Sequence, residues 1–345
     1  MELSPGERIG NYRIECELGP TGAGLLFQAQ HLVLPRRAVI KVIQTGFATN
    51  RLLVVQTLRE ACILEVIAHP GVPIIYEAGR LPDRRPWFAF EANSGPTLDA
   101  LLASGPLSVI EVAALVRDIA DILEHAHYRG VIHRGLRPNR VVITAARRYP
   151  LYIPDWSEAI VHDATGDVPY VVPEGSRSYV APELLRHNGG ARGTIDDRVD
   201  VFALGVIAHR ALTGGLPVAR GLGAEPFARS HERRTDAPRA LTALIDSMLA
   251  FDRLDRPGAA EVRAGIEWLF ATTSQLQGTP APTREAPQAM VPVPMSPDEL
   301  VVQSQRQRFR RPRWTPEVRY VETIEASGEA TGEASDFDAG EDVMD

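Results

Sequence analysis

One lysine stands apart among the residues that could do chemistry. The chain contains 36 arginines but a single lysine, Lys41, which lies within the apolar run VIKVI. Lysine carries a compact ammonium on a thin stem, whereas arginine carries a wide planar fork, so arginine cannot replace lysine where space is tight. The pattern favours a confined site that needs a point charge. The alternative is that the one remaining lysine has no special role.

Three glycines come shortly before this lysine. Gly19, Gly22 and Gly24 lie between two runs of strand type. Because glycine has no side chain, a hairpin built from such residues can lie directly over phosphate groups. An ordinary turn is the alternative for this segment taken alone.

The elements that must hold these residues differ between the two parts of the chain. From residue 12 to about 95, glycine and proline separate five short strand-like runs, which are YRIECELG, LLFQAQHLV, RRAVIKVI, PIIYEAG and WFAFEA. From about residue 107 onward, long segments of helical pattern dominate. We therefore expect an α+β fold with a small β-rich lobe, a larger helical lobe and a ligand site in the cleft between them.

One helix is predicted within the β-rich part, over LLVVQTLREACILEVIA. Its buried stripe is expected to consist of Leu53, Leu58, Cys62, Ile63 and Val66. The chain has only two cysteines, Cys16 and Cys62, without metal-ligand spacing. We expect both to be small buried apolar residues, with no disulfide framework and no zinc cluster.

The composition is that of a globular protein. Of 345 residues, 44% are hydrophobic and 23% are charged, which excludes the collagen-like, coiled-coil and disulfide-rich classes. No apolar run reaches the roughly 18 residues that cross a bilayer, and the start MELSPGERIG lacks the tracts of a signal peptide. We expect no transmembrane segment, a cytoplasmic location and a cytoplasmic protein partner.

Residues 271–345 differ from the rest. A stretch rich in Pro, Thr, Ala and Gln predicts a disordered tail, which ends in acidic residues. The net charge is −6 for this tail and −1 for residues 1–270, so nothing in the folded part indicates a nucleic-acid surface. An arginine cluster within 306–313 could bind an acidic partner, lipid headgroups or RNA, or the acidic end could neutralise it. Its members are Arg306, Arg308, Arg310, Arg311 and Arg313.

Nine segments in order resemble the motifs of bacterial serine/threonine protein kinases of the eukaryotic type. They are LGPTGAGLLFQA, VIKVI, LREACIL, FEANSG, VIHRGLRPNRVVI, YIPDWSEA, SYVAPELL, DDRVDVFALGVI and RLDRP. The resemblance covers residues 11 to 270 and implies a protein-kinase-like bilobal fold. It implies an N-terminal extension over 1–11, an N-lobe over 12–92, a C-lobe over 93–270 and the tail over 271–345.

The resemblance also implies an ATP site. Lys41 matches the family's phosphate-binding lysine, and Glu60 matches the helix glutamate that pairs with it. Such a pair could also serve only to brace the small lobe. Thr21 stands where the family usually has its second glycine, so we expect the hairpin to bind the phosphates less tightly. The nucleotide-binding positions carried over are Leu18, Gly19, Gly22, Gly24, Leu26, Val39, Lys41, Phe90, Glu91, Ala92 and Val142.

The catalytic loop HRGLRPNR departs from the family. Gly135 stands where active members place the aspartate that accepts the substrate hydroxyl's proton, and Arg140 stands where they place a metal-binding asparagine. Arg137 replaces a lysine. A positioned base typically contributes about 10²- to 10⁴-fold in rate, which glycine cannot supply. A fixed positive charge at position 140 repels a divalent cation, so we expect magnesium binding to be weakened or absent.

Asp155 matches the family's principal metal-binding aspartate. We expect Arg140 to form a salt bridge with Asp155 and to fill the magnesium site. The alternative is that Arg140 points at the nucleotide's phosphates and partly replaces the metal. Trp156 stands in place of the usual phenylalanine and is expected to pack near His133.

Further matches concern the scaffold. The resemblance implies a buried ion pair between Glu183 and Arg256, and an anchor for the catalytic-loop backbone at Asp200. The retained loop residues His133 and Arg134 complete this set. The segment before Glu183 also offers three conceivable phosphosites, with Arg134 as their phosphate partner, namely Thr165, Ser176 and Ser178.

Three functions are compatible with these matches and departures. The first is a pseudokinase that holds ATP but transfers phosphate poorly or not at all, and acts as a regulatory or scaffolding module. The second is a divergent but active ATP-dependent serine/threonine protein kinase, with a water, Glu158 or His133 in place of the base, since positioning supplies much of the catalysis. The third is an interaction scaffold that binds no nucleotide. Gly135 and Arg140 together favour the first.

Overall fold

A computed structural model describes residues 2–93, 95–144, 149–161, 172, 175–186, 195–217 and 229–272. The chain divides into two units, Met1–Val293 and Pro294–Asp345, and every element below belongs to the first. The arginine cluster and the acidic end lie outside the described residues. The predicted domain boundaries therefore stay predictions.

The alternating runs at the start of the chain form one antiparallel sheet. Their alternation reflects the geometry of a strand, in which alternate side chains point to the same face. Within the described residues the strands are β1 (Arg8–Ile9), β2 (Tyr12–Thr21), β3 (Gly24–His31), β4 (Arg37–Ile43), β5 (Ile75–Arg80) and β6 (Pro86–Glu91). They lie in the order β1, β2, β3, β4, β6, β5. All five predicted runs form strands, and β1 carries the sheet into the predicted N-terminal extension.

Helix α1 (Arg51–Ile67) connects β4 to β5 and packs against β4, β5 and β6. Its first turn is capped by Asn50, whose side chain accepts hydrogen bonds from the amides of Leu52 and Leu53. This cap satisfies two donors that have no partner within the helix. The buried residues of α1 are Thr57, Glu60, Ala61, Ile63, Leu64 and Ile67.

The predicted buried stripe of α1 is partly wrong. Val66 is 48% exposed, and the Cys62 thiol is exposed as well. The helix is rotated so that Glu60 faces the sheet, and a charged residue on the buried face cannot be found from apolar periodicity. Cys16, on β2, is also exposed, so the expectation of two buried cysteines is wrong.

Helices build most of the second lobe. Within the described residues they are α2 (Leu98–Leu102), α3 (Val109–Tyr128), α4 (Pro182–Arg186), α5 (Arg198–Thr213), α6 (Ser230–Arg233), α7 (Arg239–Met248) and α8 (Ala259–Thr272). Helix α3 starts with a capping box between Ser108 and Glu111, and it packs against α5 and α8. The longer ones lie after residue 107, where the sequence predicts that helices dominate.

Two short antiparallel ribbons bring the site's loops together. Strand β7 (Val131–Ile132) pairs with β10 (Ile160–Val161), and β8 (Val142–Ile143) pairs with β9 (Leu151–Tyr152). The loop from β7 to β8 contains the 3₁₀ turn Pro138–Arg140. The segment from β9 to β10 contains Asp155 and Glu158. The two ribbons therefore hold these two loops side by side.

The hydrophobic core confirms the predicted α+β bilobal fold. One large cluster extends from Leu64 of α1 and Phe88 of β6 to Ile119 of α3 and Leu204 of α5. A second cluster, which includes Phe27 and Trp87, covers the other face of the sheet. Among the described helices, none is both long and apolar enough to pass through a membrane.

Candidate functional site

A buried ion pair joins the sheet to helix α1. The alternation of β4 places Ala38, Ile40 and Val42 in the outer core and turns Lys41 toward the helix. The Lys41 ammonium lies 2.9 Å from Oε1 and 2.7 Å from Oε2 of Glu60. Burial opposes a charge on Lys41, but the carboxylates of Glu60 and Asp155 outweigh it and raise its pKa. The predicted contact is present, and the ammonium stays charged.

The glycine-containing hairpin of β2 and β3 lies over this ion pair. Gly19 and Gly22 have φ angles of 115° and 54°, in the left-handed region that favours glycine. A Cβ added at Gly24 would lie 3.1 Å from Cε of Lys41. The Thr21 hydroxyl, in place of the usual second glycine, lies 3.5 Å from Oδ2 of Asp155. The hairpin therefore reaches the carboxylate on the opposite side of the cleft.

The residues expected around an adenine ring lie on strands β2, β3, β4, β6 and β8 and just after β6. Register pairs Leu26 with Lys41 and Val39 with Phe90. Leu26, Val39 and Val142 are half-buried, while Phe90 is buried. Glu91 and Ala92 are half-buried, whereas Leu18 is 50% exposed.

One contact at this position was not predicted from the sequence. The buried Tyr152 donates a hydrogen bond from its hydroxyl to the backbone carbonyl of Glu91, at 2.8 Å. This bond braces the connection between the lobes. Tyr152 is the first residue of the quoted segment YIPDWSEA, but no nucleotide contact was assigned to it, so only its position opposite Val142 in the β8–β9 ribbon reveals the contact.

Asp155 is held by two cations. Its Oδ2 lies 3.0 Å from Nε of Arg140, and its Oδ1 lies 3.8 Å from the Lys41 ammonium. The amide of Ser157 donates to Oδ1 at 3.1 Å. Burial alone would raise the pKa of Asp155, but Arg140 and Lys41 outweigh it and hold the pKa well below its usual range. The carboxylate is therefore ionised and already neutralised by side chains of the chain itself.

Arg140 lies at the centre of the site and is only 7% exposed. Its Nη2 donates to Oε1 of Glu158 at 2.7 Å, and its Nη1 donates to the carbonyl of Gly135 at 3.1 Å. The Nε–H does not point at Asp155, so that contact is an ion pair without a hydrogen bond. The predicted Arg140–Asp155 salt bridge is present, and the bridge to Glu158 was not predicted. Arg137 approaches the same Glu158 carboxylate at 3.7 Å.

The space beside Gly135 is filled by other side chains. A Cβ added there would lie 2.5 Å from Oε2 of Glu158 and would also meet Nη1 of Arg140. The φ of Gly135 is not in the left-handed region, so glycine is required by space rather than by backbone conformation. Oε2 of Glu158 is buried and has no hydrogen-bond partner within the described residues.

Asp200 anchors the loop that carries these residues. Its carboxylate accepts hydrogen bonds from the amides of His133 and Arg134, both at 2.7 Å. The Nδ1 of His133 accepts from the amide of Gly135 at 3.1 Å. The ring of Trp156 packs against His133 with centroids 4.5 Å apart, as expected from the sequence. Burial lowers the pKa of His133 to about 4.

The remaining predictions concern the ion pair of the large lobe, the three conceivable phosphosites and their phosphate partner. Arg256 is bidentate to Glu183, at 2.6 Å and 2.9 Å, as predicted. Ser176 is buried and Ser178 is exposed, while Thr165 lies outside the described residues. The Nε of Arg134, the expected phosphate partner, donates to the backbone carbonyl of Glu158 at 2.8 Å.

The donor set suits the two expected cofactors differently. Lys41 and the open glycine hairpin suit a polyphosphate, which needs positive charge and close backbone approach. A second divalent cation does not suit the site, because a guanidinium stands where its oxygen ligand would be. Among the described residues, no group of three or more His, Cys, Asp and Glu side chains could hold a metal ion.

Comparisons with known proteins show the family of the chain. A family model described as the protein kinase domain matches residues 12–267. The serine/threonine-protein kinase pkn3 of Myxococcus xanthus is 28% identical over 335 residues, which cover 91% of this chain and 60% of that protein. The serine/threonine-protein kinase PknJ of Mycobacterium tuberculosis is 27% identical over 285 residues, which cover 80% of this chain and 47% of that protein. The chain thus corresponds to between 47% and 60% of the length of these relatives.

The fold also matches solved structures. The kinase domain of Mycobacterium tuberculosis PknI superposes with a TM-score of 0.60 at 24% identity, covering 77% of this chain and 99% of that domain. At this identity the likeness concerns the fold alone.

Proposed function

The chain belongs to the protein kinase domain family, and from this premise we propose that it is an ATP-binding pseudokinase. It transfers phosphate far more slowly than active members of the family and acts chiefly as a regulatory or scaffolding module for a partner protein. The observation that carries this proposal is the position of Arg140. Its guanidinium contacts Asp155, Glu158 and the carbonyl of Gly135 at once.

Arg140 acts against phosphoryl transfer in two ways. It neutralises Asp155, the family's main metal ligand, and it occupies the space beside Gly135 where the base would lie. Family members generally use ATP together with magnesium. Here a fixed cation replaces part of the metal's charge, but it cannot supply an oxygen ligand or accept a proton. We therefore expect the site to retain phosphate binding more fully than phosphoryl transfer.

The intact half of the site supports nucleotide binding. Lys41 is charged, oriented by Glu60, and lies beneath the hairpin of Gly19, Gly22 and Gly24. A pair kept only to brace the small lobe would not need the open, glycine-containing cover above it. This arrangement favours an ATP-competent module over a scaffold that binds no nucleotide.

Thermal melting of the full chain tests nucleotide binding. With ATP at about 100 times its dissociation constant, binding stabilises the folded state by about 2.7 kcal/mol, so the melting temperature should rise by several degrees. We expect nearly the same rise with and without magnesium, because Arg140 already supplies a cation. Lys41→Met should abolish the rise.

Arg37→Met is the matched control, because Arg37 is an exposed cation on the same strand. It should leave the rise unchanged. No rise at any ATP concentration would favour the nucleotide-free scaffold instead. A rise that appears only with magnesium would contradict the assigned role of Arg140.

A divergent but active serine/threonine protein kinase is the second candidate. It is favoured by the relatives pkn3 and PknJ, which are named serine/threonine-protein kinases, and by a carboxylate that lies close to Gly135. Transfer of radiolabel from ATP to the chain itself or to a generic basic protein separates the candidates. A turnover of about 1 s⁻¹ or more, within the usual range of kinases, would establish the enzyme.

The expectations about partners stay predictions. They are a cytoplasmic location, a cytoplasmic protein partner and an acidic partner for the arginine cluster of residues 306–313. The cluster lies outside the described residues, so the structure does not bear on its role.

A further inference from the structure

We propose that Glu158 accepts the proton of the attacking hydroxyl in the slow phosphoryl transfer of this domain, in place of the missing aspartate. The inference rests on the proposed function, because it requires ATP in the cleft. It deepens that function by naming the group that performs the residual chemistry.

The position of the Glu158 carboxylate carries the proposal. Its Oε2 lies 2.5 Å from the point where a side chain at Gly135 would begin. This separation matches that between the Cβ and a carboxylate oxygen within an aspartate. Glu158 thus delivers, from the neighbouring loop, an oxygen to the region that position 135 leaves empty. The β7–β10 ribbon and the hydrogen bond from Arg134 to the Glu158 carbonyl fix this loop.

Glu158 also has acceptor capacity that the two other carboxylates around Lys41 lack. Both oxygens of Glu60 contact the Lys41 ammonium. Both oxygens of Asp155 face cations or an amide. Within the described residues, Oε2 of Glu158 has no hydrogen-bond partner. A buried polar oxygen without a partner is costly, and such groups point to a ligand or a catalytic role.

His133, the other side chain considered as a substitute base, is excluded by its hydrogen bonds. Its Nδ1 accepts from the amide of Gly135, so in the neutral ring the proton is on Nε2. Nε2 is then a donor and cannot accept a proton.

The step needs no reactant other than ATP and the acceptor hydroxyl. The acceptor hydroxyl oxygen forms a bond to the γ-phosphorus, and the bond from that phosphorus to the β–γ bridging oxygen breaks. The hydroxyl proton passes to Oε2 of Glu158, and ADP leaves with the electron pair of the broken bond. Water in place of the hydroxyl gives ADP and phosphate by the same route.

Arg140 explains why this step is slow. It holds Oε1 of Glu158 at 2.7 Å, and Oε2 is closed to solvent in the same arrangement. The hydroxyl reaches Oε2 only when the guanidinium turns away. Nucleotide phosphates beside Lys41 compete with Glu158 for this guanidinium, so ATP itself helps to release the base.

The test compares the full chain with Glu158→Gln in three measurements. These are autophosphorylation from radiolabelled ATP, release of ADP, and the rise in melting temperature with ATP. We expect transfer and ADP release to fall by about 10²-fold or more, as for the loss of a general base, while the rise in melting temperature is retained. Glu158→Asp, which keeps a carboxylate on a shorter stem, should recover part of the rate. Glu65→Gln, at an exposed glutamate of α1, is the control and should match the unaltered chain.

A stability measurement tests the placement of Glu158 without any activity. Gly135→Ala should destabilise the chain, because overpacking typically costs about 1 to 3 kcal/mol. The same Gly135→Ala substitution should cost less free energy of unfolding when it is made in a Glu158→Ala chain, since that chain lacks the oxygen that meets the new methyl group.

Three results would overturn the proposal, and they can be told apart. Equal transfer by Glu158→Gln and the unaltered chain would assign the proton to another acceptor. A chain that binds ATP but shows no transfer would leave the pseudokinase without any base. A chain without an ATP-dependent rise in melting temperature would remove the proposed function itself, and the inference with it.

Discussion

Arg140, which stands where active family members place an asparagine, determines the surroundings of three neighbouring residues. Asp155 forms an ion pair with the guanidinium of Arg140, and Glu158 forms a second ion pair with it. Gly135 is then the residue that fits, because its missing side chain leaves room for both Arg140 and Glu158. Glycine at position 135 and arginine at position 140 thus belong to one arrangement, because a side chain at position 135 would meet Arg140.

The sequence predicted part of this site. The contacts of Lys41 with Glu60 and of Arg140 with Asp155 followed from motif positions and opposite charges. The contact of Arg140 with Glu158 did not, because it depends on how two loops lie side by side. The motif pattern indicates that the base is absent from position 135, but not that other atoms fill the space.

One prediction at this scale concerns His133 and acid. Its pKa is about 4 in the folded chain, against about 6.5 for an unperturbed histidine. Between these values the unfolded chain binds a proton that the folded chain does not, so stability should fall as pH drops from about 6.5 to about 4. The contribution of His133 is at most about 3 kcal/mol.

Denaturant unfolding at several pH values, on the chain and on His133→Phe, measures this dependence. The ring of phenylalanine can still pack on Trp156, but it cannot titrate. We therefore expect a shallower decline of unfolding free energy with acid for the variant. Parallel curves would show that His133 does not carry this pH dependence.

At the scale of elements, helix α1 links the charge network to the sheet. It carries Glu60 on its buried face, and Gln56 donates to the carbonyl of Ser157, next to the Asp155 loop, at 2.7 Å. The strands and long helices followed from sequence periodicity, because their burial repeats with the period of the element. The rotation of α1 did not follow, because the buried Glu60 replaces an apolar residue on the inner face and leaves Cys62 and Val66 outside.

A second prediction concerns the start of this helix. Asn50→Ala removes the acceptor for the amides of Leu52 and Leu53, so we expect the free energy of unfolding to fall by about 1 kcal/mol. Asn50→Asp keeps a side-chain oxygen and should preserve most of the stability. Chemical denaturation of the three proteins measures the difference. An alanine variant as stable as the unaltered chain would indicate that the cap contributes nothing.

At the scale of the whole molecule, the large lobe contains the internal contacts that the family resemblance implies. Arg256 is 1% exposed and joins Glu183 of α4 to the backbone carbonyls of Arg198 and Ala250. Asp200 still holds the loop between β7 and β8. The scaffold contacts that the motifs predict are thus present, which explains why the family's fold could be predicted from its motifs.

The third prediction tests this tie. Arg256→Met leaves the carboxylate of Glu183 without its cation, and breaking a buried pair in this way costs about 3 kcal/mol. We expect a lower denaturant midpoint for the variant. Arg239→Met, at an exposed arginine of α7, should stay within about 0.5 kcal/mol of the unaltered chain. A midpoint equal to that of this control would contradict the assigned role of Arg256.

The exposed thiol of Cys62 has a practical consequence. It lies on α1 only two residues from Glu60, and the chain contains just one other cysteine, Cys16. Replacing Cys16 by serine would leave a single natural attachment point for a fluorescent or paramagnetic probe. Because the thiol points outward while the glutamate points inward, such a probe could follow the orientation of this helix in real time without disturbing the cleft.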